Sequence, residues 1–209
     1  MVAVALGLTM MTAPVQAWEL NSPYKDDLTI RHNVEMFISD ASEEMDVAFT
    51  AITKIGKKSD DGIKVSFGWE GLEAGGQVME DMMFDGNLDG HGFLKSMDDG
   101  DDMRNMWAPF FFVYPGQAVE KGSEWSAKDK EEGLSFTFEA MGVKKLKETE
   151  TMHVKMKFKS ASSSSVSGDG EFWVRKDGMI MKYEIDVSNW FIPMAGQVFD
   201  GSIEGVLDD

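Results

Sequence analysis

Apolar and polar residues alternate with a period of two along most of this 209-residue chain. Successive side chains of a β-strand point to opposite faces, so a run with this period predicts a strand with one buried and one solvated face. We count about nine to eleven such runs, each bounded by the residue types that favour turns. Two clear examples are Ile63, Val65, Phe67 and Trp69, and Leu134, Phe136, Phe138 and Ala140.

Short turn sequences separate the runs. Asp177-Gly178 is a strong hairpin signal, because this pair readily takes the positive φ that tight turns need. Strands joined by short turns pair with their sequence neighbours, so we predict a mainly β fold built as an antiparallel meander. A sheet this long must curl, into a half-barrel, a barrel or a sandwich.

One segment fits a helix better than a strand. Over residues 97–107, Met103, Met106 and Trp107 can share one face, and acidic residues precede them, as suits the positive end of a helix dipole. Pro109 then ends the pattern. We therefore predict one short helix near 97–107.

The first seventeen residues predict export. They are small and apolar and end in Val15-Gln16-Ala17, a small-x-small pattern typical of signal-peptide cleavage after Ala17. The chain has no cysteine, so it has neither a cysteine lipid anchor nor a disulfide. We predict a signal peptide at residues 1–17, a single antiparallel β domain at residues 18–209, and a periplasmic or secreted location.

The charge excludes one class of partner. Asp and Glu number 37 against 20 Lys and Arg, for a net charge of −17. Nucleic-acid binding needs clustered basic residues that displace counterions from phosphates, so we expect no nucleic-acid partner. No stable membrane insertion is expected once the signal peptide is removed.

A partial calcium motif occurs in the middle of the chain. Asp85, Asn87, Asp89 and Gly90 match the opening D-x-N-x-D-G of a calcium loop, in which alternate oxygens converge on the ion. Position twelve would be Ser96, where a bidentate Glu is expected. A solvated acidic strand or turn is the alternative, so Ca²⁺ is the one cofactor to test.

No motif points to an enzyme. His32, His91 and His153 lack the spacing of zinc ligands on one strand or helix, and the chain has no cysteine and no G-x-S-x-G nucleophile elbow. We therefore predict a protein that is not an enzyme.

Two aromatic segments break the period of two. They lie around residues 106–115 and 190–194, and prolines accompany both. Either they plug the curled sheet, or they line or cover an apolar cavity to which methionines add adaptable walls. The second interpretation predicts a ligand site at Trp107, Phe110, Phe111, Phe112, Tyr114, Trp190, Phe191 and Met194.

Two stretches carry a family resemblance. Pro115, Val119, Gly122 and Trp125 fit P-x-x-x-V-x-x-G-x-x-W, and residues 168–182 read as strand, Asp-Gly turn and strand. In these features the chain resembles a family of uncharacterised exported bacterial β-domains and, distantly, the LolA-like lipoprotein carriers. The resemblance implies a periplasmic half-barrel around an apolar cavity, and it identifies no ligand residue.

The sequence thus leaves two functions open. The first is an exported binding protein that holds a hydrophobic or lipid-like ligand in a curved sheet. The second is a structural or protein-interaction domain of the cell envelope, with a closed core and a possible Ca²⁺ site.

Overall fold

The computed structural model describes residues 17–40, 42–98, 101–128, 133–160 and 166–208. One α-helix occurs among them, α1 at Asp101–Trp107, followed by a 3₁₀ turn at Ala108–Phe110. The described residues also form fourteen strands: Trp18–Glu19 (β1), Thr29–Ser39 (β2), Glu44–Ser59 (β3), Gly62–Ala74 (β4), Gln77–Val78 (β5), Met82–Leu88 (β6), Leu94–Met97 (β7), Ala118–Val119 (β8), Glu124–Lys128 (β9), Ser135–Leu146 (β10), Thr149–Lys159 (β11), Ser167–Val174 (β12), Ile180–Ile192 (β13) and Gln197–Leu207 (β14).

Twelve strands form one antiparallel sheet. Its order is β7-β6-β4-β3-β2-β14-β13-β12-β11-β10-β9, with β5 against β4, while β1 and β8 pair separately. Almost every strand lies beside its neighbour in sequence, which confirms the predicted meander. Within the twelve-stranded sheet, the long-range pair is β2 with β14, which joins the first and last long strands at the centre.

The sheet curls around its own connecting segment without closing into a barrel. Strands β7 and β9 form its two edges. Phe93, beside β7, nevertheless lies 6.1 Å from Phe136 of β10, measured between ring centroids. Since these residues lie near opposite edges of the sheet, the sheet must curve far enough to bring its two edges close together.

The Asp-Gly turn forms the hairpin that the sequence predicts. It joins β12 to β13, with the Arg175 N–H donating to the Met179 carbonyl at 2.8 Å. Gly178 takes a φ of +85°, and a Cβ there would lie 1.9 Å from the Asn21 carbonyl oxygen. Only glycine satisfies both conditions without strain.

The predicted helix exists but is shorter than 97–107. It begins at Asp101, because Met97 ends strand β7. The Asp98 N–H donates to the Asp85 carbonyl at 3.0 Å, so the chain is still held to the sheet at that point. The helix therefore begins four residues, about one helical turn, after the first residue of the predicted segment.

The predicted signal sequence lies outside the described residues, apart from Ala17. Strand β1 begins at Trp18, whose indole is buried and lies under the Lys176 ammonium at 5.2 Å. Cleavage after Ala17 stays a prediction.

Candidate functional site

Residues 104–114, here called the inner segment, run through the hollow of the sheet. Every residue in it is buried except Phe110, which is half-buried. Trp107 stands at its centre and stacks on Phe67 and Trp69 of β4, with centroids 6.1 Å away in each case. Burial of these large rings holds the segment inside the sheet.

The second half of the inner segment is tightly packed. Phe112 lies 5.3 Å from Phe138 and 5.1 Å from Phe172 between centroids. The Tyr114 hydroxyl donates to the Gly178 carbonyl at 2.7 Å, and burial raises the pKa of this phenol well above its usual value. The cavity left beside this half is only about 70 Å³, room for roughly two waters.

The first half of the inner segment faces a larger opening, here called the apolar pocket. Its volume is about 330 Å³, at the lower end of the range for small-molecule sites. Five methionines line it, namely Met36, Met45, Met79, Met106 and Met194. Six aromatic residues complete most of the wall: Phe49, Trp69, Trp107, Phe110, Trp190 and Phe199.

The pocket opens to solvent between three hairpin ends. Its remaining lining residues lie mostly at the ends of the β2–β3, β4–β5 and β13–β14 hairpins: Ile38, Val47, Leu72, Ala74, Gln77, Ile192 and Ala195. Met79 and Met194 are 45% and 44% exposed and so mark the mouth. Exposed methionines are costly in water and adapt to varied apolar shapes, which suits an entrance for an apolar ligand.

The wall offers little hydrogen bonding. Apart from the tryptophans, Gln77 is the only described lining residue whose side chain carries a polar group. Two of the tryptophans are satisfied, since the Trp190 N–H donates to the Met106 carbonyl and the Trp69 N–H to the Glu80 carbonyl. The Trp107 indole N–H is buried without a hydrogen-bond partner. An occupant would be held mainly by apolar contact.

The predicted ligand residues divide into three groups. Trp107, Phe110, Trp190 and Met194 line the apolar pocket. Phe111, Phe112 and Tyr114 lie at the smaller cavity in the packed half, as the plug interpretation expects. Phe191 lines neither, because it is paired with the exposed Val198 at the end of β13.

Sequence reasoning missed the strand residues of the pocket. Met36, Phe49 and Phe199 belong to ordinary alternating runs, so in the sequence they resemble any core residue. The exposed Met79 is different, since it stands in an acidic stretch just after a Gly-Gly turn. A methionine shortly after a Gly-Gly turn and directly before two acidic residues is the signal that could have located the mouth.

The three residues of the calcium motif that could supply oxygen ligands already make hydrogen bonds within the protein. Asp85 accepts a hydrogen bond from the Ser66 hydroxyl, and the Asn87 amide donates to the Ser96 hydroxyl. The Asp89 carboxylate caps the turn by accepting the N–H groups of His91 and Phe93 at 2.8 and 2.9 Å. Within the described residues, no group of three His, Asp or Glu side chains is placed to hold a metal.

The histidines have separate surroundings. The His153 Nε2 lies 2.6 Å from the Glu171 carboxylate, and its ring stacks on Trp173, while His91 is exposed in the β6–β7 turn. His32 points to the smaller cavity, where its Nε2 lies 2.9 Å from the Ile180 carbonyl oxygen.

His32 should make stability depend on pH. Burial lowers its pKa below the ordinary value, which is about 6.5. The folded chain then binds fewer protons than the unfolded chain, so stability falls as pH drops through that value and levels off below the folded-state pKa. We expect His32→Gln to reduce the fall in melting temperature between about pH 7.5 and pH 5.5. The exposed His91→Gln serves as control, and an equal fall in all three proteins would contradict the assignment.

Among the described residues, no helix has the length and apolarity to cross a bilayer.

Comparison with known proteins does not assign the chain to a family. No family model matches the chain, and no curated protein does.

Among solved structures, the chain is similar to a "putative exported protein with YmcC-like fold" from Bacteroides fragilis. The two are 12% identical, the match covers 92% of this chain and 98% of that chain, and the TM-score is 0.38. A similarity this low supports no inference about fold or function. The resemblance to LolA-like carriers stays a prediction.

Proposed function

We propose that this is an exported, non-enzymatic binding protein, periplasmic or secreted, that holds a hydrophobic or lipid-like ligand in the apolar pocket. The observation that supports the proposal is an open pocket of about 330 Å³ whose wall is almost entirely apolar. The predicted signal sequence supports the exported location.

The energetics favour an apolar chain as occupant. Transfer of each methylene group out of water contributes about 0.8 kcal/mol. Flexible methionines can follow the outline of a chain closely, and dispersion contacts depend on such close fit. The cost of immobilising the ligand must be subtracted, so the affinity depends on how fully the pocket is filled.

A blocked-pocket variant tests the proposal. Ala74 is half-buried on the pocket wall, and its neighbour across the sheet, Val47, also faces inward. We expect Ala74→Phe to fill the mouth and weaken binding of the uncharged fluorescent probe N-phenyl-1-naphthylamine by about tenfold, the loss of roughly 1.4 kcal/mol of contact.

Ala48→Phe is the matched control. Ala48 lies on the neighbouring strand, is exposed and faces away from the pocket. It should keep wild-type binding. If the wild-type protein fails to bind the probe, or both folded variants bind as it does, the pocket is not a ligand site.

The packed half of the interior favours the second candidate, a structural or protein-interaction domain of the cell envelope. Phe111, Phe112 and Tyr114 fill that half as a closed core would. Native mass spectrometry and lipid extraction of the purified protein discriminate the two, because a structural domain would carry no apolar ligand.

A further inference from the structure

Four methionines are exposed among the residues that the structure describes. Their exposed fractions are similar, at 45% for Met79, 39% for Met82, 38% for Met83 and 44% for Met194. Met79 directly follows β5, the next two open β6, and Met194 lies in the turn between β13 and β14. The chain has no cysteine, so methionine supplies every sulfur atom in it. These four side chains are therefore the sulfur that a reagent in solution meets first.

Position divides the four methionines into two pairs. Met79 and Met194, here called the mouth pair, line the apolar pocket, and the other two do not. Met83 instead lies over Gly68 of β4. A chemical change at the mouth pair therefore alters the wall that an apolar ligand contacts. The same change at Met82 and Met83 leaves that wall as it is.

The other methionines of the wall are better protected than the mouth pair. Met36 and Met106 are only 8% and 5% exposed, and Met45 is half-buried. Reaction of a side chain with an oxidant follows its exposure. We therefore expect the mouth pair to react before the interior of the pocket does.

The reaction open to an exposed thioether is oxidation to the sulfoxide. With hydrogen peroxide as oxidant, an electron pair of sulfur attacks one peroxide oxygen, the O–O bond breaks and an S–O bond forms. Sulfur is oxidised, and the peroxide is reduced to water, which carries away both hydrogens. The product is a polar side chain in place of a flexible apolar one.

We propose that Met79 and Met194 form a reversible oxidation site that lowers the affinity of the apolar pocket for its ligand, an inference that rests on the proposed function. A sulfoxide oxygen on the wall either stays in water, which withdraws the side chain from the ligand, or loses its hydrogen bonds when the ligand covers it. Both outcomes weaken binding. Apart from the tryptophans, only Gln77 among the described lining residues has a polar side chain that could compensate.

Treatment of the purified protein with dilute hydrogen peroxide tests the proposal. The peroxide is removed before N-phenyl-1-naphthylamine is added, and peptide mass spectrometry locates each added oxygen atom. We expect sulfoxide at the mouth pair before Met36 and Met106. The dissociation constant of the probe should rise about fivefold, equivalent to about 1 kcal/mol. Reduction by methionine sulfoxide reductases of both epimer specificities, with a dithiol as electron donor, should restore it.

Two double variants identify the sulfur atoms responsible, each compared with itself before and after peroxide. Met79→Leu with Met194→Leu replaces the mouth pair by side chains of similar volume that peroxide does not oxidise, so its dissociation constant should not change on treatment. Met82→Leu with Met83→Leu removes as many exposed sulfur atoms away from the pocket. It should show the same rise of about fivefold as the wild-type protein. Thermal unfolding before and after treatment checks that each protein stays folded.

The outcomes separate this proposal from the binding function. If the untreated protein binds the probe and the treated protein, with sulfoxide at Met79 and Met194, binds it equally well, the oxidation site is wrong and the binding function stands. The same holds if the mouth-pair variant loses as much affinity as the wild type, or if the loss reflects unfolding. If the untreated protein does not bind the probe, both proposals are wrong.

Discussion

Trp107→Ala is expected to lower the free energy of unfolding by about 4 kcal/mol, as large-to-small aromatic substitutions in a core do. Trp107 is only 4% exposed and touches the rings of Phe67, Trp69, Phe84 and Phe110. Its removal would leave the inner segment without its main contact to β4. For a chain of this size the melting temperature should drop by about 10 °C.

Two variants make the measurement specific. Trp173→Ala removes the same side chain from a half-buried site on another face, where it stacks on His153, and should cost only about 1 to 2 kcal/mol. Trp107→Phe keeps a ring in place and deletes the unpartnered N–H, so it should be much milder than alanine. Chemical denaturation of the wild-type protein and these three variants measures the free energies of unfolding. Equal losses for both alanine variants would show that Trp107 does not anchor the segment.

The central position of Trp107 explains why the interior has two unlike halves. It lines both the apolar pocket and the smaller cavity. On one side, Phe112 and its aromatic neighbours fill the space left by the sheet. On the other side, the segment begins in the short helix, and the sheet extends past it to the hairpin ends. The open half is therefore the part of the interior where a ligand can add to the core.

The sequence predicts the strands well because their signal is local. Burial alternates over residues 135–140 of β10 and 154–159 of β11, as the sequence pattern predicts, and neighbouring strands are joined by short turns. The pairing of β2 with β14 is not predictable in this way. It places Val34 opposite Gly205 and Met36 opposite Ile203, across most of the chain. No local pattern encodes a contact between such distant residues.

The site is predictable only in part for a related reason. A break in the alternating pattern marks the two aromatic segments, but it does not say which face each ring takes. In β13 the register shifts between Val187 and Trp190, and Asn189 has a φ of +54°. This irregularity turns Trp190 inward and Phe191 outward, and only the structure shows it.

Pocket walls and core walls use the same residues. Phe49 and Phe138 both occupy apolar positions of alternating strands, yet the first lines the pocket and the second contacts Phe112. The difference depends on what lies opposite each residue in the curled sheet. That information belongs to the tertiary fold rather than to any run of sequence.

Gly205→Val should also be strongly destabilising, through overpacking rather than a cavity. Gly205 lies in β14 directly opposite Tyr183 of β13, and the Tyr183 ring covers it. A Cβ at this position would lie 2.0 Å from Cζ of that ring, far inside van der Waals contact. Tyr183 is 4% exposed and packs on Phe110 and Phe172, so its neighbours restrict how far the ring can move away.

The expected result is a loss of about 3 kcal/mol or more, at the junction where β14 joins the two halves of the sheet. Gly90→Val is the matched control, because Gly90 is exposed and a Cβ there meets nothing within 4 Å. The double variant Gly205→Val with Tyr183→Leu should be less destabilised than the sum of its parts, since the shorter side chain vacates the space above the glycine. Additive losses in thermal and chemical unfolding would mean that the ring over Gly205 does not determine this packing.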